Sequence, residues 1–239
     1  MGFATRFANR FRNTKLHYIV CRFLEKFDME GFTLSYAQCG EDLIIKTIFG
    51  KDKRDGFYVD IGCNNPIQKS NTFKLYLKGW RGICVDGNAG LVKRFRRIRR
   101  RDTCLCEIVS NDVRDVVFYQ DDQNHELSSV DAAVGVGLKS AGAHVREVRM
   151  RSTTLERILE AHGGGLAIDL LCVDVEDHDL EVLKGNDFGK YRPRIICVES
   201  YGSLQELKSS ELDIFLRDKG YELLVFSKPN IFYQDGRVG

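Results

Sequence analysis

Apolar residues recur in two rhythms that take turns along the chain from residue 41. Segments 56–61 (GFYVDI), 81–86 (RGICVD), 104–109, 167–175 and 194–199 (RIICVE) are short runs with apolar neighbours on both faces. Such runs predict strands covered on both sides. Between them the apolar positions return every three or four residues. Segment 41–49 places Leu43, Ile44, Thr47 and Ile48 on one side, and 89–100 does the same with Leu91, Phe95 and Ile98. Further helices are predicted at 70–78, which Ser70 can cap, and at 154–160, 179–184 and 204–219. Alternation of this kind predicts an α/β fold, a mostly parallel sheet with helices on both faces. Segments 221–226 and 231–233 read as a closing antiparallel hairpin. The stretch 113–150 breaks the rhythm, with strands only at 116–119 and 144–150, and reads as an insertion or lid. No repeat or Pro/Gly/Ser linker interrupts 35–239. That span is predicted to be one domain behind a leader, 1–34.

Length and charge narrow the classes. A chain of 239 residues suits one large domain. Its 36 Lys+Arg against 34 Asp+Glu leave +2, which disfavours a nucleic-acid coat. The apolar runs 170–173 and 223–226 hold four residues each, where a membrane span needs about 20. Arg6, Arg10, Arg12, Lys15 and Arg22 interrupt the first 25 residues, so no secretory signal is expected. Eight cysteines occur without a C-x-x-C pair. Reduced thiols in a cytoplasmic protein, and no structural zinc, are the reading.

Two basic segments each carry two readings. The leader places Phe7, Phe11, Ile19 and Phe23 at near-helical spacing among cations from Arg6 to Lys26. It is either a helix packed on the domain or one that docks on a membrane surface or a partner. The run 93–101 (KRFRRIRRR) holds seven cations in nine residues. It is either a solvated helix face or a surface for an acidic partner: a charged glycan, a nucleotide-sugar or lipid headgroups. RNA is disfavoured because no exposed aromatics interleave for stacking. His17, His125, His144 and His162 are isolated and read as surface or packing residues.

Three constellations carry candidate chemistry. A buried strand ends in Asp60-Ile61-Gly62, followed by Cys63 and Asn64. Ligands of open parallel sheets sit beyond such strand ends, and a glycine there admits a close approach. The next strand ends in Asp86, placed either to hold ribose hydroxyls or to cap the helix that follows. The densest stretch is 171–179 (LCVDVEDHD). Its carboxylates Asp174, Glu176, Asp177 and Asp179 are expected to raise one another's pKa and that of His178, making His178 the base with Glu176 or Asp174 orienting it. A polar strand end with a helix cap is the bland alternative. A divalent metal on Asp174 and its neighbours is not required.

Taken in order, SYAQCGED (35–42), FYVDIGCNNP (57–66), Ser70-Asn71-Thr72, GWRG (79–82), Asp86 and VDVEDHDLEVLKGNDF (173–188) resemble the FkbM family of S-adenosylmethionine-dependent methyltransferases. The likeness spans about 35–200. It implies a Rossmann-like seven-stranded methyltransferase sheet with a reversed last strand. It implies Asp60, Gly62, Cys63, Asn64 and Ser70 around the methionine side of the cofactor, Asp86 on the ribose and Ser110 near the adenine. Asp174 would lie beside the methyl group, with Glu176 and His178 facing the acceptor. Cys63, Cys172 and Asp177 depart from the family pattern, which has a small residue, a lysine and a glycine there. The expected activity is O-methylation of a sugar, a glycan or a secondary metabolite, in the cytoplasm or against the inner membrane face. A non-catalytic module that senses S-adenosylmethionine or docks on a glycosyltransferase is the alternative. The missing G-x-G-x-x-G disfavours a nicotinamide enzyme.

Overall fold

The computed structural model describes residues 14–25, 33–121 and 128–237. Helices α1 (Lys15–Leu24) and α2 (Glu41–Phe49) precede β1 (Phe57–Ile61), α3 (Phe73–Leu77), β2 (Arg81–Val85), α4 (Ala89–Ile98) and β3 (Thr103–Leu105). Next come β4 (Ile108–Ser110), β5 (Asp115–Asp121), α5 (Ala132–Ser140) and β6 (Val145–Thr154). Alternation resumes with α6 (Leu155–His162), β7 (Leu170–Val173), α7 (Asp179–Lys184) and β8 (Ile195–Glu199). Helices α8 (Leu204–Lys208) and α9 (Glu211–Asp218) lead to β9 (Tyr221–Ser227) and β10 (Asn230–Asp235).

The main sheet runs β3-β2-β1-β7-β8-β10-β9. Its first five strands are parallel, and β10 is antiparallel to both β8 and β9. This is the mostly parallel seven-stranded fold with a closing hairpin. Every residue of β1 and β7 is buried, which is why those segments read as continuous apolar runs. Alternate side chains divide the core. Val59, Ile61, Leu171 and Val198 pack towards α6, α7 and α9. Tyr58, Cys84, Cys172 and Cys197 pack on the other face, towards α2, α3 and α4. These thiols are buried like small hydrophobes, and burial pushes those of Cys84 and Cys197 up.

Three boundaries moved for local reasons. The strand expected at 104–109 divides: Leu105 stays paired with Val85, while Ile108 pairs with Ser152. The insertion supplies the competing partner, forming a second sheet of order β4-β6-β5. The helix expected at 204–219 breaks at two serines. Ser209 ends α8, and Ser210 starts α9 by accepting from the Asp213 N–H at 3.2 Å. Helix α3 begins three residues later than Ser70, whose Oγ still accepts from the Phe73 N–H at 3.2 Å.

One cation of the run 93–101 leaves the surface. Arg99 is fully buried. The chain turns inward as α4 ends, and the guanidinium donates to Asp102 (2.7 Å), Tyr58 Oη (2.7 Å), Thr72 Oγ1 (2.8 Å) and Ser70 Oγ (3.2 Å). Arg96 reaches the Cys104 carbonyl at 2.9 Å, and Arg101 the Tyr76 carbonyl. Lys93, Arg94, Arg96, Arg97, Arg100 and Arg101 all stay exposed.

Helix α1 packs on α3. Tyr18 lies against the Phe73 and Tyr76 rings, and Glu25 pairs with buried Lys74 at 2.7 Å. The leader cations Arg6, Arg10, Arg12 and Lys26, with Phe7, Phe11 and also His125, lie outside the described residues. No helix among the described residues is long and apolar enough to cross a membrane.

Candidate active site

Strand order reverses at β1, with β2 on one side and β7 on the other. A crevice opens at such a reversal, beyond the carboxyl ends of the strands. Here it is a cavity of about 220 Å³, roofed by β4, β5 and residues 128–130.

One wall is built by backbone. Gly62 has φ 79°, and its N–H donates to the Val85 carbonyl at 2.9 Å. A Cβ there would lie 1.8 Å from the Asp174 carbonyl oxygen, so only glycine fits. The Asp86 carboxylate accepts from the Asn64 N–H at 2.9 Å and the Asn88 N–H at 2.7 Å, tying the β1 loop to the β2 loop. It does not cap α4. Asn88 does, accepting from the Gly90 N–H at 2.9 Å. Val85, Ile108 and Phe118 put apolar side chains on the adjoining wall. Gly87 packs directly against them, since a Cβ there would meet Ile108 Cδ1 at 2.5 Å.

The opposite end is acidic. Asp174, Glu176 and Glu199 offer carboxylate oxygens within 4.8 Å of one another. Burial, then the neighbouring Glu199, Asp179 and Glu176, pushes Asp174 well above the carboxylate range. Burial likewise lifts Asp179 to about 7, against the bond from the Val175 N–H at 3.3 Å. Tyr201 Oη donates to Glu199 at 2.5 Å. Among the described residues, every non-glycine with positive φ falls in the loops after β1 and β7: Asn64, Lys69, Glu176 and Asp177. Backbone strain of this kind concentrates at functional sites.

His178 departs from expectation. Burial lowers its pKa, and the charges that act on it are Glu181, Arg114 and Asp131 rather than the acidic cluster. Its Nε2 lies 3.0 Å from Ser110 Oγ. It borders the cavity and also an adjoining hollow, which Ser110 faces. The structure does not bring Asp60, Cys63 or Ser70 to the cavity wall. Asp60 is buried and accepts from Thr72 Oγ1 at 2.5 Å; Cys63 is buried; Ser70 serves Arg99. Gly62, Asn64, Asp86, Asp174, Glu176 and His178 do line it.

Sequence reasoning passed over Gln38, Lys69, Glu107, Phe118, Ser129, Glu199 and Tyr201, all on the wall. Glu199 carried a usable signal, an acid closing a buried strand as Asp60 and Asp86 do. Phe118 carried none, because only the docking of the insertion brings it to the crevice.

The model of a family described as "Methyltransferase FkbM domain" matches residues 60–223, more than half of the chain. The chain belongs to the FkbM methyltransferase family. S-adenosylmethionine is the cofactor of this methyltransferase. No curated protein matches the chain. Among solved structures it is similar to a TehB-like SAM-dependent methyltransferase from Corynebacterium glutamicum, at 11% identity, 92% of this chain, 95% of that one and TM-score 0.41. It is similar to the fibrillarin pre-rRNA processing protein of Methanococcus jannaschii, at 10% identity, 87% and 86% coverage and TM-score 0.44. An O-methyltransferase from Bacillus cereus in complex with SAH aligns at 10% identity, 92% and 87% coverage and TM-score 0.36.

The residues present fit the cofactor. The methyltransferase has apolar side chains at Val85, Ile108 and Phe118 suited to a base, a strand-end acid at Asp86 suited to hydroxyls, and carboxylates suited to cationic groups, on one cavity wall.

Proposed function

We propose that this methyltransferase is O-directed and acts on a hydroxyl of a sugar, a glycan unit or a comparable polyhydroxylated metabolite. The observation that carries the reading is the carboxylate cluster Asp174–Glu176–Glu199 at one end of the cavity. Bound S-adenosylmethionine supplies an electrophilic methyl group, so the chain must orient an acceptor oxygen and take up its proton.

Asp174 and Glu199 are the proton acceptors in this reading. Crowding holds a proton on the cluster at rest, and a cation entering it restores the carboxylate form. Glu176, Gln38 and Tyr201 supply further hydrogen-bonding groups on the same wall, which suits an acceptor with several hydroxyls. His178, uncharged at neutral pH, is a second base at the cavity edge, anchored on Ser110. Asp174, Glu176 and Glu199 crowd this end as a catalytic cluster, because holding one cationic group does not call for three carboxylates.

The test is transfer of labelled methyl from S-adenosylmethionine to panels of sugars, glycans and hydroxylated metabolites. Asp174→Asn and Glu199→Gln should each lower turnover by about 10²-fold or more while binding of S-adenosylhomocysteine, whose sulfur is uncharged, persists. Cofactor binding without transfer to any hydroxyl would leave the chain a binding module. Transfer to amines alone would overturn the O-directed reading.

A further inference from the structure

Tyr201 lines the catalytic cavity and is nevertheless 63% exposed, which places it at the rim. Single exposed aromatic side chains are ordinary on a protein surface. This one is set apart by what holds it. Its Oη donates to Glu199 at 2.5 Å, and Glu199 is one of the three carboxylates that meet at the acceptor end. The bond ties the outer edge of the ring to the reacting groups. The backbone is pinned on both sides as well. The Ser200 N–H donates to the Pro229 carbonyl at 2.6 Å. Two residues after Tyr201, a reciprocal cap opens α8: the Ser203 N–H donates to Glu206 at 2.6 Å, and Ser203 Oγ accepts from the Glu206 N–H at 3.2 Å. The aromatic ring is thus fixed at both ends while most of the residue stays open to water.

A fixed aromatic face beside carboxylates matches one kind of acceptor. Tyrosine offers a broad apolar face at low cost in side-chain entropy. A pyranose ring is amphipathic in the complementary sense, with C–H groups on its faces and hydroxyls around its edge. Laid with a C–H face against Tyr201, it turns its edge hydroxyls towards Glu199, to which the phenol is already bonded. The Oη that donates to Glu199 keeps lone pairs that accept from a hydroxyl. An open-chain polyol has no such face and loses more conformational freedom on binding. A phenolic ring would stack too, but it carries too few hydroxyls to meet Glu199, Glu176 and Gln38, which share that wall.

We propose that Tyr201 is a stacking platform for a pyranose ring, the acceptor sugar of this methyltransferase. The inference rests on the O-directed reading and narrows its acceptor class to cyclic sugars.

The test is binding to the full chain loaded with S-adenosylhomocysteine, so that no turnover is needed. The probes are methyl hexopyranosides, the open-chain hexitols mannitol and sorbitol, and catechol, titrated by saturation-transfer NMR. At least one pyranoside should bind about tenfold or more tightly than either hexitol. Tyr201→Ala should weaken that binding at least about tenfold, whereas Tyr201→Phe should stay within about threefold of wild type. Both variants lose the bond to Glu199, so the difference between them belongs to the ring face. Melting temperature and S-adenosylhomocysteine affinity should stay at wild-type values. Should Tyr201→Ala lower the melting temperature, Tyr201→Trp carries the test: its emission should shift when the pyranoside is added, against a background of the chain's one tryptophan, buried Trp80. Equal binding by the Ala and Phe variants overturns the proposal. So does the absence of pyranoside binding, or a preference for a hexitol or catechol. Methyl transfer to amines alone, with pyranosides still bound on Tyr201, would fail the O-directed reading and leave the platform standing. Transfer to a sugar hydroxyl at a wild-type KM in Tyr201→Ala would do the reverse.

Discussion

Replacing Asp179 by Asn should make the methyltransferase more stable above neutral pH while weakening its grip on a cationic cofactor. Asp179 is 7% exposed, and its pKa rises from 3.8 to about 7 because burial and its acidic neighbours penalise the charged form. The folded chain therefore binds this proton more tightly than the unfolded chain does. Below about pH 4 both states are protonated and the full stability is present; it is lost as pH rises through about 7. At about 1.36 kcal/mol per unit, the shift corresponds to about 4 kcal/mol for the group alone. Asp174 and Glu199 are raised as well and share the effect, so about 1–3 kcal/mol is expected for the single substitution. Asn keeps the oxygen that accepts from the Val175 N–H at 3.3 Å, and so preserves the turn. Urea unfolding of both proteins at about pH 5 and pH 8 is the assay, with the full gain for Asp179→Asn at the higher pH and about a third of it at the lower, since the loss accumulates between 3.8 and about 7. Affinity for S-adenosylmethionine should fall relative to S-adenosylhomocysteine, whose sulfur is uncharged. A variant no more stable than wild type at about pH 8 would refute the electrostatic account of this cluster. The pairing of lost function with gained stability is the usual mark of an active site.

Asp86→Ala should weaken cofactor binding by about 1–3 kcal/mol in calorimetry and leave α4 intact, since Asn88 is its cap; a melted α4 with unchanged affinity would reverse these roles. Arg99→Gln should cost about 3–5 kcal/mol in unfolding experiments by stranding buried Asp102, whereas Arg97→Gln and Arg100→Gln, on exposed side chains, should stay within about 0.5 kcal/mol. His178→Ala should lower turnover with cofactor affinity kept and should remove from the pH profile the acid limb below 6.5 that belongs to this imidazole, which burial lowers; a profile unchanged by the substitution would leave Asp174 and Glu199 as the only bases.

The order of elements and the sheet type were legible in the sequence because they follow from local periodicity. Strands buried on both faces have no polar alternation to offer, as Phe57–Ile61 and Leu170–Val173 show. The strand-end residues Gly62, Asp86 and Asp174 were legible for the same reason, since a buried parallel strand must end at the crevice. Local pattern could not tell which layer a residue would enter once a regular element ended. Arg99 sat in a run of cations, yet as the C-cap of α4 it became a buried anchor for Asp102, Tyr58 and Thr72. Asp60 occupied the expected strand position, but the polar groups below the sheet drew its carboxylate away from the cavity. His178 lay among acids in sequence and faces Ser110 in space, so burial rather than its neighbours sets its pKa. Phe118 and Ser129 reach the cleft only through the pairing of β4, β5 and β6. What the chain by itself determined are the properties that repeat along it, namely element type, sheet class and the acids that close strands. Tertiary structure alone decided which side chains meet across the crevice, because those contacts join residues from opposite ends of the sequence and leave no periodic trace in it.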